Sequence, residues 1–372
     1  MYTRLLLEWS MKIVYVLDWD IIAQSSVLNK ICAKISYWEM QGNEVHLMIV
    51  SSGTVNDHVP RVKNVHVFER PGLSFLIHSS IRTFIGRNMA FGNLYDKIKD
   101  IGPDVVYLRP GSMWYPNVSK VVSRFPSVLE LNSIDEEEVR LYYPKGDIRY
   151  SIFSFGRDRL LKKCVGIVGL TDEIVNYYSN YKKKTIMISN GVNFKAPFDK
   201  KKSQNETNII FVGTPGQLWQ GFDQFVEMAR LLPEFKFHLV GPQKDFDLFP
   251  DNLICHGFLQ ANELSALYEQ CQVGVGTLAL FRKNMKEACP LKVREYVANK
   301  LFLILGYIDS DFHETPFTLY IGNNKDNVSN NIERIRSFVL NTVSSGEIDI
   351  NRDRYSIEAK ENMRLSFLKD VI

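Results

Sequence analysis

Short apolar runs alternate with amphipathic stretches along nearly the whole chain. KIVYVLD (12–18) reads as a buried strand, and SVLNKICAKISYWEMQG (26–42) as a helix ended by Gly42. NEVHLMIV (43–50) and VHVFER (65–70) are the next strands, followed by a helical region from about Phe75 to Lys99. VVYLR (105–109), SVLELN (127–132), GIVGLT (166–171) and TIMISNGV (185–192) complete this first series. Runs rich in Val, Ile and Leu, separated by helices, predict a parallel sheet covered on both faces. The polar, basic stretch NFKAPFDKKKSQNETN (193–208) breaks the alternation and reads as a linker. Beyond it the pattern restarts with NIIFVG (208–213), FDQFVEMARLLP (222–233), FKFHLVG (235–241), NLICHGF (252–258), NELSALYEQC (262–271) and VGVGTL (273–278). LFLILG (301–306) and FTLYIG (317–322) extend the second series, and YSIEAKENMRLSFLKDVI (355–372) reads as a closing helix.

The pattern predicts an α/β chain of two doubly wound, Rossmann-like domains, 11–194 and 205–350, facing each other across a cleft. Residues 351–372 form a helix returning towards the first domain. Ligands of such sheets bind at the carboxyl ends of the strands.

Length and composition agree with this picture. A chain of 372 residues suits two domains of roughly 150–200 residues each. Its 45% hydrophobic and 23% charged content is that of a soluble globular protein. The formal net charge of +3 gives no support for nucleic acid as a partner. Cys32, Cys164, Cys255, Cys271 and Cys289 are scattered and odd in number, which points to a reducing, cytoplasmic setting and away from a disulfide framework or zinc site. The opening MYTRLLLEWS is too short an apolar run for a signal peptide, and Met11 stands directly before the first strand. Residues 1–10 therefore read as a frayed leader or a non-native extension. No apolar stretch reaches the ~18–20 residues of a membrane span, so any membrane contact is expected to be peripheral.

The stretch KEACPLKVREYVANKLFLILG (286–306) carries the candidate chemistry. Pro290 suits the first turn of a helix, leaving the N–H groups of Leu291, Lys292 and Val293 without helical partners. Such a helix start attracts phosphate, and Lys292 adds a full positive charge. Glu287 lies in the loop before the helix and Glu295 inside it, so a carboxylate flanks each side of a bound diphosphate. Carboxylates accept well from the paired hydroxyls of sugars. Taken alone, a plain amphipathic surface helix is the commoner explanation of two glutamates eight positions apart.

The same stretch resembles the Glu-x7-Glu motif of the retaining glycosyltransferases of family 4, which have the GT-B fold. ISNGVN (188–193) is similar to that family's Asn-Gly-Val-Asp turn, and FVGTPGQLWQGFDQFVEMARLL (211–232) resembles its glycine loop and following helix. FHLVGP (237–242), HGFLQANELSALYEQCQVGVGT (256–277), VLELNS (128–133) and CVGIVGLTDEI (164–174) resemble further segments in the same order. The resemblance covers nearly all of 11–340 and is strongest over 208–306. It departs from the family in the loop GTPGQLWQG, where Gln217 and Gln220 stand at positions usually basic. Arg282 and Lys283 are candidates for replacement charge, although solvated loop residues are the preferred reading. DWDIIAQSSVLNK lacks the family's glycine pair, and Ser25 and Ser26 stand there as helix-capping residues.

The resemblance implies transfer of a sugar, with retained anomeric configuration, from a nucleotide-diphosphate sugar to a glycan or lipid-linked acceptor, as in cell-surface polysaccharide synthesis. It implies Glu287 on the sugar hydroxyls, Lys292 and the amides of Leu291 and Val293 on the diphosphate, and Glu295 on the ribose. Gly213, Thr214 and Gly221 would allow close backbone approach, with no cofactor and no metal required. An epimerase or hydrolase of the same fold and a non-catalytic partner subunit are the alternatives.

GTPGQLWQG lacks the Gly-Lys-Ser/Thr of a P-loop, and no G-x-G-x-x-G follows the first strand. His46, His58, His66 and His256 show no metal-ligand spacing. Glu130 and Arg109, at predicted strand ends, are candidates for the cleft, whereas Asp135 to Glu138 read as a solvated helix start. LSFLIHSSIRTFIGRNMAFG (73–92) and YSIFSFGRDRLLKK (150–163) mix apolar and basic residues. Phe75, Phe84, Phe153 and Phe155 with Arg82, Arg87, Arg157, Lys162 and Lys163 would suit an anionic membrane surface. Amphipathic helices packed on the sheet are the preferred reading of both.

Overall fold

The computed structural model describes residues 10–20, 26–51, 62–72, 79–111, 113–194, 207–241, 249–344 and 348–372. Residues 1–9, Ser25, His58, Phe75 and most of the stretch read as a linker lie outside them. The chain folds as two compact units, one formed by Met1–Gly169, Ile174–Ile188 and Glu361–Ile372, the other by Leu170–Glu173 and Ser189–Lys360.

The first unit holds strands β1 (Lys12–Asp18), β2 (Glu44–Ser51), β3 (Val65–Glu69), β4 (Val105–Arg109), β5 (Ser127–Leu131), β6 (Gly166–Gly169) and β7 (Lys184–Met187). They form one parallel sheet in the order β3-β2-β1-β4-β5-β6-β7. Ile13 to Leu17 are all buried, as expected of a central strand covered on both faces. The accompanying helices are α1 (Ser26–Met40), α2 (Ser79–Ile101), α3 (Pro116–Arg124), α4 (Asp135–Tyr142), α5 (Ile148–Lys163) and α6 (Asp172–Tyr177).

The second unit holds β8 (Asn208–Val212), β9 (Lys236–Val240), β10 (Leu253–Gly257), β11 (Val273–Val275), β12 (Glu287–Ala288), β13 (Phe302–Leu305), β14 (Ile308–Asp309) and β15 (Thr318–Tyr320). Six of these make a parallel sheet ordered β10-β9-β8-β11-β13-β15, while β12 and β14 pair separately. Counted from its own first strand, this sheet repeats the order of the first unit up to the sixth position. Its helices are α7 (Phe222–Leu231), α8 (Ala261–Gln270), α9 (Leu291–Ala298), α10 (Ile332–Ser344) and α11 (Arg352–Tyr355). A last helix, α12 (Ile357–Val371), starts in the second unit and ends in the first. There Leu365, Phe367 and Leu368 join the core that contains Ile13, Tyr15, Trp38 and Tyr107.

Two expectations about charged residues give way here. Glu130 is not open to a ligand: it is buried among Lys34, Lys30 and the Tyr107 hydroxyl, which donates to it at 2.6 Å. Burial opposes its ionisation, but the ammonium groups of Lys34 and Lys30 hold its carboxyl well below the usual range. The acidic run opening α4 is half-buried and occupied. Asp135 accepts from the Tyr178 hydroxyl and pairs with Arg157, while Glu136 accepts from Tyr150, Tyr177 and Arg140. A neighbouring tyrosine cluster, invisible to charge spacing, turns a solvated helix start into an anchor.

In the second sheet, buried His238 stacks on His256, with Nδ1 2.9 Å from the His256 Nε2 and Nε2 2.9 Å from the Asn208 Oδ1. Burial, followed by the charges of His256 and Lys236, pushes its pKa from 6.5 down to about 4. A depressed histidine supports the fold only above its unfolded pKa, so stability should fall as pH drops from about 6.5 towards 4. Urea unfolding at pH 7.5 and pH 4.5 should differ by roughly 2 kcal/mol from this residue, and His238→Gln should flatten the difference.

Candidate functional site

Strand order in the second sheet reverses between β8 and β11, so their carboxyl ends open the crevice where ligands bind in such sheets. Residues 213–221 leave β8 and residues 276–290 leave β11. Gly213 donates to the Val240 carbonyl at 3.0 Å. Gly241, at φ 113°, packs so closely that a Cβ there would lie 1.8 Å from the Gly213 oxygen, so only glycine fits. Gly221 turns the chain into α7 at φ 77°. A Cβ on it would meet Leu278 Cβ at 2.9 Å and Ala279 N at 3.0 Å, and the Leu278 N–H donates to the Gln220 carbonyl. The two loops are therefore fastened backbone to backbone, with Thr214 exposed between the glycines.

The glutamines at the expected basic positions bond each other: Gln220 Nε2 donates to Gln217 Oε1 at 2.6 Å. The buried Gln220 Oε1 has no donor among the described residues. Contrary to the preferred reading, Lys283 is buried, and Arg282, although partly exposed, is engaged. Arg282 clamps the Asp223 carboxylate and the Leu218 carbonyl, and buried Lys283 lies 4.7 Å over the Trp219 ring. Packing of the 3-10 turn at 280–283 onto that at 218–220 draws both cations against the glycine loop.

Helix α9 begins at Leu291, with Pro290 in extended conformation as its N-cap. The N–H groups of Leu291, Lys292 and Val293 thus fall in the first turn, where no helical carbonyl reaches them. Asn190, from the Asn-Gly-Val turn, fixes the approach to the helix. Its N–H donates to Cys289 Sγ at 3.0 Å and its Nδ2 to the Cys289 carbonyl at 2.6 Å. Buried Arg294 holds the Asn190 carbonyl and the carboxylates of Asp309 and Asp311.

The three predicted side chains lie on this helix or just before it, each in its own surroundings. Glu287 is the first residue of β12 instead of a free loop residue. Its Oε2 accepts from the Glu173 N–H at 2.9 Å, and the Glu173 carboxylate in turn accepts from the N–H groups of Lys286 (2.9 Å) and Glu287 (2.8 Å). Glu295 accepts from the Tyr268 hydroxyl at 2.8 Å. Lys292 Nζ is buried 3.6 Å from the centre of the Phe211 ring and has no hydrogen-bond partner among the described residues. Burial alone lowers its pKa well below the ordinary lysine value. Val293 is fully buried and Leu291 half-buried, so their contribution to a ligand is confined to backbone N–H groups.

Sequence reasoning missed Glu173 and Tyr268. Glu173 stands in TDEI, a segment noted only for its resemblance, and Tyr268 in a helix read as structural. Nothing in the spacing links Glu173 to a residue 114 positions away.

Two parallel Rossmann-like units with this strand order define the fold of the GT-B glycosyltransferases. Sucrose-phosphate synthase from Thermosynechococcus elongatus is similar over 97% of this chain and 99% of its own, at 13% identity and a TM-score of 0.69. Anabaena HepE, solved with UDP and glucose, is similar over 97% of this chain and all of its own, at 12% identity and a TM-score of 0.64. The lipopolysaccharide outer core galactosyltransferase WaaB is similar over 96% of this chain and all of its own, at 14% identity and a TM-score of 0.63. Neither a protein-family model nor a curated sequence matches the chain.

Among the described residues no helix is long and apolar enough to cross a membrane.

Proposed function

We propose that the protein is a retaining, metal-independent glycosyltransferase of the family 4 type. It would move a sugar from a nucleotide-diphosphate donor to a glycan or lipid-linked acceptor in cell-surface polysaccharide synthesis at the cytoplasmic side of a membrane. The observation that carries this reading is the start of α9: a buried amine without an anionic partner, between two tethered glutamates, at the reversal point of the second sheet. A diphosphate supplies the charge that Lys292 lacks and accepts from the first-turn N–H groups of Leu291 and Val293. Glu287 then accepts from the sugar hydroxyls and Glu295 from the ribose. Gly213, Thr214 and Gly221 let the backbone approach the donor. On this reading the protein contributes charge stabilisation and alignment, while the leaving phosphate assists removal of the acceptor proton on the same face.

The sugar donor draws support from HepE, whose structure holds UDP and glucose, and a lipid-linked acceptor from the name of WaaB. Membrane contact has support on α2, where exposed Ile81, Ile85 and Met89 share one face, and on α5 at exposed Phe155, Lys162 and Lys163. Phe153, Arg87 and Arg157 do not serve it: Phe153 is buried, Arg87 binds Asp18 and Asp20, and Arg157 pairs with Asp135. Gln217 and Gln220, bonded to each other where basic residues are expected in the glycine loop, favour a second reading, a donor-binding subunit without turnover.

A panel of nucleotide sugars followed by thermal unfolding tests the reading. Donor at 100 times its Kd should contribute about 2.7 kcal/mol and raise the midpoint by several degrees. If no nucleotide sugar shifts the midpoint, the donor site is wrong. A shift without donor hydrolysis or transfer selects the inert subunit.

A further inference from the structure

The buried amine of Lys292 has a consequence for how a donor binds, and it rests on the donor-site reading above. We infer that Lys292 acquires its proton together with its partner: arrival of a diphosphate at α9 draws about one proton from solvent onto Nζ.

In the empty site an ammonium at Nζ has the face of the Phe211 ring as its one described support, which returns less than its burial costs. Nζ is buried and faces the Phe211 ring of β8, and no hydrogen-bond acceptor reaches it among the described residues. The acids around the helix are otherwise engaged. Glu287 accepts from Glu173, Glu295 from Tyr268, and Asp309 and Asp311 from Arg294, with Asp311 also bound by Lys360. The thiol of Cys289 accepts from Asn190, and burial pushes its pKa up to about 11, so it carries no charge near neutrality. Removing an isolated ammonium from water is costly enough that the group sheds its proton instead. Burial alone acts on this lysine, with no charged neighbour contributing in either direction.

A diphosphate reverses that balance. Its oxygens accept from Nζ, its negative charge favours the ammonium, and the proton moves from buffer to the amine. Donor affinity then weakens as pH rises, because above neutrality the proton becomes harder to recruit. An arginine in the same place would stay charged throughout.

The test uses the full-length protein and UDP as probe. Calorimetric titrations at pH 7.5 in two buffers of different ionisation enthalpy should report uptake of about one proton per UDP bound. Lys292→Met should bind UDP about 10–100-fold more weakly and take up none. Its unliganded form should melt at or above the wild-type temperature, because a buried unpaired amine is gone. NMR of lysine labelled at the ε-carbon should show a neutral Lys292 amine at pH 7.5 before UDP and a charged one after. A charged amine in the empty protein overturns the inference, as does equal proton uptake by wild type and Lys292→Met. Failure of the wild type to bind UDP or any nucleotide sugar overturns the donor-site reading itself, and the inference with it.

Discussion

Replacing Glu287 with alanine is expected to abolish measurable sugar transfer, lowering kcat by at least about 10²–10³-fold, while the fold persists. The side chain is half-buried, and its one described hydrogen bond accepts from a single backbone N–H, that of Glu173. Losing that bond should cost about 1 kcal/mol, too little to unfold either unit. The Glu173 carboxylate would still grip the N–H groups of residues 286 and 287, so the short strand β12 should keep its place. Glu287→Gln should preserve the Glu173 contact but lose the negative charge, leaving activity between the two extremes. Initial rates with a donor found by thermal shift, read beside circular dichroism of each variant, decide the matter. Turnover equal to wild type in Glu287→Ala would remove this residue from the site.

Arg294→Met should be the most destabilising single change near the site. The guanidinium is 3% exposed and binds Asp309 and Asp311 as well as the Asn190 carbonyl. Methionine fills part of the volume but strands Asp309, which is fully buried. Breaking a buried pair from one side typically costs about 3–5 kcal/mol, which for a unit of this size lowers the melting temperature by roughly 8–15 °C. Arg294→Lys should recover only part of the loss, since an ammonium cannot reproduce the planar fork. Thermal unfolding with and without donor would measure both effects. A midpoint within 2 °C of wild type, on the order of experimental scatter, would show that the carboxylates find other partners.

Much of this architecture is legible in the amino-acid sequence. β1 and β8 announce themselves as unbroken Val, Ile, Leu and aromatic runs because central parallel strands are buried on both faces. Pro290 marked the start of α9 because its ring fixes a backbone angle suited to a helix entrance. What periodicity could not express was the partnership of distant side chains. The reciprocal bonds of Glu173 and Glu287 join residues brought together only by folding. Lys292 reads as a cation in any sequence, and its isolation depends on Phe211, some eighty positions away. Glu130 looked like a strand-end ligand because a sequence cannot reveal that Lys30 and Lys34, one turn apart on α1, both point at it. The short pair β12–β14 escaped notice because two residues carry no alternation to detect.

The last helix also bears on how the protein is made. Trp38 donates to Glu361, Tyr37 to Asn362, and Arg364 to Tyr107, so residues of the last helix complete the interior of the first unit. A ribosome releasing this polypeptide vectorially exposes the amino-terminal strands long before those side chains emerge. The nascent first unit must therefore wait, incompletely packed, until residues 361–364 have been made. Stop codons ahead of residue 361 would damage the first unit, although most of its residues lie far upstream.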